Sequence, residues 1–244
     1  MLIALLLVID LRGLDIIKIL IAGTSGLAKE VICYVMKILI AGTSGLAKEV
    51  ACWASSMFEV IGYTTPTKSE KNEFNIPGIG FTDDEVTPDK AGTEYILFGI
   101  GSLKIRKKLY EIYKKKGFKF PKLIHPTSTV SSSARLGEGV IVAPNCIVSP
   151  NVKIGALTYI NFQCGIGHDS IIGDFVQINP GSQLGGCCVV GDETLIGSGS
   201  TILQGITVGL RATVASGSVV FTKVLDNSTI MGNPARRMKL FKNS

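Results

Sequence analysis

Residues 160–190 read INFQCGIGHDSIIGDFVQINPGSQLGGCCVV, and an aliphatic residue returns at every sixth place: Ile160, Ile166, Ile172, Ile178, Leu184 and Val190. Counted outward, the same step runs without an insertion from Val130 through Leu136, Val142, Val148 and Ile154, then through Ile196, Ile202, Val208 and Val214 to Val220. Four places after each stands a residue that is mostly small or β-branched, such as Ala134, Cys146, Thr158, Ser170, Ser182, Ser200 and Ser218, with Ile206 the largest of the set. Glycine often follows the aliphatic directly, as at Gly137, Gly155, Gly167, Gly173 and Gly185. A period of six is the hexapeptide pattern of a parallel β-helix, in which three short strands make one triangular coil. Each aliphatic side chain points inward and stacks on the one a coil above. The small residue fits the tight space beside it, and glycine or asparagine is expected to permit the corner turn. Five coils and one further face result, and their ends need capping because stacked units pair only with neighbours. The residues before 124 can cap one end, and the segment after Leu225 the other. Cys146, Cys164 and Cys188 fall in the small inward slot, where a small buried hydrophobe suffices. The Cys187-Cys188 pair alternates in and out and reads as no metal motif.

The chain has 244 residues, 46% hydrophobic and 18% charged, which excludes a disordered chain and leaves ample material for a core. Six cysteines are too sparse for a disulfide scaffold. The apolar start, Met1 to Ile9, is interrupted by Asp10, Arg12 and Asp15; it is too short to span a bilayer, and no small-residue cleavage site follows. The expected compartment is the reducing cytoplasm. The net charge of +6 comes from two clusters: nine Lys/Arg against one Glu in residues 104–122, and Arg236, Arg237, Lys239 and Lys242 near the end. Such clusters suit nucleic acid or a phosphate-bearing small molecule equally, and on a helix they also read as a solvated face.

The front of the chain carries a duplication. Residues 18–31, KILIAGTSGLAKEV, recur letter for letter at 37–50. Only the second copy continues into a fold, through ACWASSM and the strand EVIGY, and Met36 has the look of a natural start. Residues 1–35 are therefore read as a recent duplication or an over-long gene start, without which the chain is expected to fold and work. From residue 36 to 123 the pattern is strand KILIA, glycine turn GTSG, helix, strand EVIGY, strand EYILFGIG, helix SLKIRKKLYEIYKKKG and a last short strand, FPKLIH. Alternating strands and helices imply a small Rossmann-like parallel sheet. In the second helix Ile105, Leu109, Ile112 and Tyr113 form the expected apolar face, with the lysines opposite. The first turn presents Gly42, Ser44 and Gly45 either as a phosphate cradle at a helix N-terminus or as a tight packing turn. It is GxxG rather than GxGxxG, and no acidic residue ends EVIGY to hold a ribose, which argues against a nicotinamide cofactor.

The two histidines, His125 and His168, lie too far apart in sequence to supply the imidazole set of a catalytic zinc, so no metal is expected. His125, in LIHPT, reads as a structural hydrogen-bonding residue. His168 is third in its hexapeptide, a corner position facing out, next to Asp169. That pair suits a general base, and spacing alone leaves an ordinary surface histidine equally open.

These stretches carry a family likeness. From Met36 to Met238 the chain resembles bacterial sugar acetyltransferases of the sialic acid O-acetyltransferase and PglD type. The likeness rests on KILIAGTSGLAKEV, GIGSLKIRKKLY, LIHPTSTVSSSARLGEGV, GIGHDSIIGDFVQINPGSQLGG and MGNPARRM, in that order. It implies a left-handed β-helix acetyltransferase domain over 124–234, a sugar-nucleotide-binding domain over 36–123, and a basic tail over 235–244. It implies a homotrimer with active sites between neighbouring β-helices, acetyl-CoA as co-substrate, and a sugar-nucleotide or sialic acid acceptor, with neither nucleic acid nor membrane as partner. A role in polysaccharide biosynthesis goes with it. The family's catalytic histidine and acidic residue fall on His168 and Asp169. Acetyl-CoA is expected at Asn161, Gln177 and Gly186, whose N–H would face the thioester. Arg236 and Arg237 either meet its phosphates or form a solvated tail. Gly42, Ser44, Gly45, Thr64 and Gly101 are expected to hold the sugar nucleotide. The chain departs from the family at Leu46 and Gln177, where histidine is common in relatives, at Thr64-Thr65, where an acidic pair is usual, and at Gly99-Ile100-Gly101-Ser102, where relatives have IGN. The resemblance implies direct acetyl transfer to an amine or hydroxyl. The rivals are transfer to free sialic acid or a small amino acid such as serine, and a non-catalytic scaffold.

Overall fold

The computed structural model describes residues 35–238; the first copy of the duplicated segment, Lys239 and Lys242 lie outside the described residues. The α/β domain consists of β1 (Lys37–Ala41), α1 (Gly45–Ala54), β2 (Glu59–Thr65), β3 (Ile79–Thr82), α2 (Pro88–Ala91), β4 (Ile96–Phe98) and α3 (Leu103–Lys115). Its four parallel strands run in the order β3-β2-β1-β4. Central β1 is covered on both faces, so it reads as an unbroken apolar run. Ile38 and Ile40 pack with α1 through Val50 and Ala54, while Leu39 and Ala41 face α3 through Leu109 and Tyr113. Gly99, just past β4, lets α1 close in: a Cβ there would meet the Ala47 Cα at 2.4 Å.

The face of α3 differs from the expected one. Arg106, Leu109, Tyr110 and Tyr113 are its buried residues, whereas Ile105 is 50% exposed. Arg106 is drawn inward because α3 lies along the β-helix, where its guanidinium donates to the Phe175 carbonyl at 3.4 Å. Desolvation lowers its pKa to about 10.

The strand in FPKLIH, β5 (Leu123–Ile124), also departs from expectation. It does not join the α/β sheet but pairs in parallel with β8 (Ile141–Val142), as the first rung of the β-helix. Ile124 stands six residues before Val130, so β5 obeys the hexapeptide count.

From β6 (Thr129–Val130) to β21 (Val219–Val220), two-residue strands follow at six-residue steps, each ending on the aliphatic residue of the repeat. They stack into three parallel sheets: one from β7 (Arg135–Leu136) to β19 (Thr207–Val208), one containing β8, and one from β6 to β21. Register partners are eighteen residues apart, as in Lys153 with Ile171. The inward stack from Val130 to Val220 is buried, apart from Leu136, half-buried near the N-terminal end. β22 (Thr229–Met231) and the antiparallel β23 (Arg236–Arg237) close the other end. The fold is thus a parallel-sheet α/β domain followed by a left-handed β-helix.

Two details refine the expected coil. The small inward residues are more than space-fillers: side chains of Thr158, Ser182 and Thr194 donate to the carbonyls of Gly173, Gly197 and Gly209, each fifteen residues on, at 2.7–2.9 Å. Cys146, Cys164 and Cys188 direct Sγ at the equivalent carbonyls. The glycines that follow the aliphatics do not make the turn. At Gly167, for example, a Cβ would meet the Gly186 N at 2.4 Å, so the residue is small because the next coil touches it. The left-handed conformation falls two places later, and Asn145, Leu157, Phe175 and Cys187 adopt it there with φ of 55–60°.

The α/β domain covers the β8 sheet and the corner before it. Trp53 stacks on Tyr159 at 6.5 Å between ring centroids, and Tyr110 donates to Glu138. Among the described residues no helix is long and apolar enough to cross a membrane.

Candidate active site

His168 stands on the corner between β12 (Gly165–Ile166) and β13 (Ile171–Ile172), with its side chain 55% exposed. Its Nδ1 lies 2.8 Å from Asp169 Oδ2. Asp169 adopts φ 58°, and its other oxygen accepts from Asn151 Nδ2 at 3.0 Å, one coil below. The hydrogen bonds from His168 and then Asn151 hold the Asp169 carboxyl below the usual carboxylate range. A carboxylate accepts only, so Nδ1 carries the proton and Nε2 is left as the basic atom. That atom lies against Gly186, one coil above: a Cβ on Gly186 would be 2.5 Å from Nε2. Only glycine leaves room for the imidazole, and the Gly186 N–H has no acceptor among the described residues. Base, orienting carboxylate and unused backbone donor are thus brought to one corner. His125 lies on a different corner, where its Nδ1 accepts from the Thr127 N–H at 3.3 Å.

Cys187 stands at this corner as well, while Cys188 is turned into the core. Ligand atoms of His168, Asp169 and Cys187 lie within 4.8 Å of one another, all three residues exposed. Asp169 already serves His168 and Asn151, so the pairing of base and carboxylate accounts for the grouping.

Asn161 and Gln177 do not meet His168 within one chain. Asn161 is on the corner after the β8 sheet, its Oδ1 accepting from the Phe162 N–H at 2.8 Å. Gln177 points out from the β8 sheet and donates to Asn179 at 3.0 Å. Arg236 and Arg237 are exposed on β23 and share a cleft of about 400 Å³ with Thr222 and Lys223. Lys223 lies on the same corner as His168, three coils further along, or roughly 14 Å at strand spacing. The sequence reading missed Asn151 and Lys223. Adding eighteen to 151 reaches Asp169, and adding three times eighteen to 169 reaches Lys223, so the repeat itself carried the signal.

A second cleft, of about 770 Å³, opens at the C-terminal edge of the α/β sheet. Gly42, Ser44, Thr64 and Gly101 line it, with Phe74, Asp83, Ile100 and Ile105. Gly45 opens α1 at its edge. Gly42 adopts φ 105° and donates its N–H to Thr64 O at 3.1 Å, and the first-turn N–H groups of α1 are left unused. The N-terminus of α3, at Ser102, faces the same cleft. Neither Ser44 nor Ser102 caps its helix through a side chain, and neither helix has an acidic residue in its first turn. Two uncapped helix N-termini converging on one cleft favour an anion.

Residues 37–113 match the PglD N-terminal domain family and residues 169–204 the bacterial transferase hexapeptide family. The comparison with curated proteins finds no match. Among solved structures, the acetyltransferase domain of PglB from Neisseria gonorrhoeae is 31% identical, with a TM-score of 0.75, over 83% of this chain and 99% of that one. A histidine-to-asparagine mutant of perosamine N-acetyltransferase from Caulobacter crescentus, in complex with CoA and GDP-perosamine, is 28% identical, with a TM-score of 0.76, over 84% and 98%. WeeI from Acinetobacter baumannii, at 23% identity and a TM-score of 0.71 over 83% and 100%, shares the fold. An α/β domain with an anion-ready cleft, joined to a β-helix with an outward histidine, places this chain in the family of PglD-type sugar acetyltransferases built on hexapeptide repeats.

Proposed function

We propose that the chain transfers the acetyl group of acetyl-CoA to the amino group of a nucleotide-activated sugar in the cytoplasm. The observation that carries this is His168, turned by Asp169 so that Nε2 rests over Gly186. Nε2 takes a proton from the acceptor amine as its nitrogen attacks the thioester carbonyl. The Gly186 N–H donates to the oxyanion. On collapse the acetyl–nitrogen bond remains, the carbon–sulfur bond breaks, and the imidazolium returns its proton to the CoA thiolate. Asp169 stabilises the imidazolium in between. Both substrates are held together, so no acyl-enzyme is needed. Lys223, Arg236 and Arg237 would take the phosphates of CoA, at the far end of the corner. No metal enters the reading.

The working unit is read as a homotrimer. The α/β cleft belongs to the domain on the β8 sheet, whereas His168 is on the corner that this sheet does not border. A nucleotide bound in the cleft is therefore presented to the histidine of a neighbouring copy, which also gives Asn161 and Gln177 a corner to face. Exposed Ile171, Val189, Leu203 and Phe221 beside His168 supply apolar surface for that neighbour.

The test is release of free thiol from acetyl-CoA with a panel of acceptors: UDP- and GDP-linked amino sugars, their hydroxyl counterparts, free sialic acid and serine. Release with an amino sugar nucleotide is expected. Release with sialic acid or serine alone would transfer the function to those acceptors, and none with any acceptor would leave a scaffold.

A further inference from the structure

In strand–turn–helix nucleotide folds, a carboxylate at the end of the second strand holds the ribose hydroxyl. Here β2 ends in Thr64-Thr65, and both hydroxyls are engaged within the domain. Thr64 Oγ1 lies 2.7 Å from Tyr113 OH, and Thr65 Oγ1 donates to Thr67 O at 2.5 Å. The neighbouring strand supplies what β2 lacks. β3 runs in register with β2, Thr65 opposite Thr82, and the next residue is Asp83, whose N–H donates to Thr65 O at 2.8 Å. An acidic side chain therefore arrives beside the expected place, at the wall of the cleft.

Asp83 is held for that position. It is only 9% exposed, and Oδ1 accepts from Tyr113 OH at 2.5 Å. Tyr113 in turn accepts from Thr64, so its single proton is committed to the carboxylate. Burial, then the charge of Asp83, push the Tyr113 pKa up and keep the phenol a donor. Lys116 Nζ donates to the carbonyls of Asp83, Asp84 and Val86 at 2.7, 2.7 and 3.0 Å, which fixes the turn. Asp83 Oδ2 has no partner within the described chain, and it is not one of the sealed unpartnered atoms, which are Arg106 Nε and Tyr159 OH. Asp83 is among the residues that line the cleft. A carboxylate repels phosphate and so asks for a hydroxyl or N–H donor. The anion-binding end of the cleft is at the α1 and α3 N-termini, and the ribose adjoins the phosphates.

We propose that Asp83 is a specificity-determining residue that recognises the ribose of the bound nucleotide, with Oδ2 accepting from the 2′-hydroxyl and with Tyr113 and Lys116 as positioning residues. This rests on the sugar-nucleotide reading given above.

The experiment is calorimetric titration of the full chain with UDP, GDP and their 2′-deoxy counterparts, for the wild type, Asp83→Ala and Asp83→Asn. The wild type is expected to bind the fitting ribonucleotide about tenfold or more tighter than its deoxy form, as for one hydrogen bond to a charged group. Asp83→Ala should abolish that preference and leave the deoxy affinity unchanged, which shows that the cleft is intact. Asp83→Asn, which keeps an acceptor for Tyr113, should lose most of it. Equal binding of ribo and deoxy forms by the wild type overturns the proposal, as does a preference that survives in both variants. If neither UDP nor GDP binds the wild type, the nucleotide reading falls and the assignment with it. A parallel titration with CoA then tells whether the β-helix half of the function stands.

Discussion

In the β-helix, site partners stand eighteen residues apart: Asn151 with Asp169, and His168 with Gly186. In the α/β domain they stand 30 and 49 residues apart, Asp83 with Tyr113 and Thr64 with Tyr113. The first site is assembled by a lattice that repeats one hydrogen-bonding step, so each group is positioned by the coil beneath it. The second is assembled by a tertiary arrangement in which a strand end, a turn and a helix must each arrive separately. A lattice transmits damage along its axis, and a tertiary cluster contains it.

The largest effect should come from Ile172→Asp. The side chain is 2% exposed in the middle of the inward stack, and an unpaired carboxylate there costs several kcal/mol. Loss of soluble folded protein is expected, and a soluble variant with an unchanged melting temperature would break the lattice reading. Next, His168→Ala should lower kcat roughly a hundredfold or more, as for loss of a general base, with circular dichroism and melting unchanged because the corner faces out. Gly186→Ala is the sharper probe. The added methyl group must push the imidazole aside, so a fall in kcat of about tenfold or more is expected, with little loss of stability. If stability falls instead while kcat holds, Gly186 serves only coil packing. In the other region, Tyr113→Phe leaves Asp83 and Thr64 without their shared partner. It should destabilise the α/β domain by about 1–3 kcal/mol and leave the β-helix transition where it was. Calorimetry showing both transitions lowered together would erase the contrast. Smallest, Arg236→Ala and Lys223→Ala should each raise KM for acetyl-CoA several-fold, with a flatter salt dependence and kcat nearly unchanged.

The same contrast explains what the sequence disclosed. The aliphatic count from Val130 to Val220 fixed the inward register, because every inward slot has the same environment. The outward place of His168 followed from that register. The role of the following glycines did not, because close approach and left-handed φ both favour glycine, and only the folded coil separates the place of Gly167 from that of Asn145. FPKLIH is too short and too apolar to disclose which sheet it joins. The face of α3 was misjudged at Arg106 because periodicity registers apolarity, and a guanidinium buried against a carbonyl escapes it. The Thr64–Tyr113–Asp83 chain left no trace at all, since nothing in local spacing joins a strand end to a helix 49 residues away.

The corner that carries His168 also carries Lys223, three coils on. Length along this corner changes only in whole coils, each adding about 4.8 Å. The span from the His168 imidazole to the basic end is therefore quantised. Removing eighteen residues between Gly186 and Lys223 would keep every inward contact type and shorten the span by one step. A cofactor anchored at the basic end would then overshoot the imidazole by that step. In the proposed reaction the β-helix would serve as a gauge, setting the cofactor arm that fits by the number of rungs rather than by the shape of a pocket.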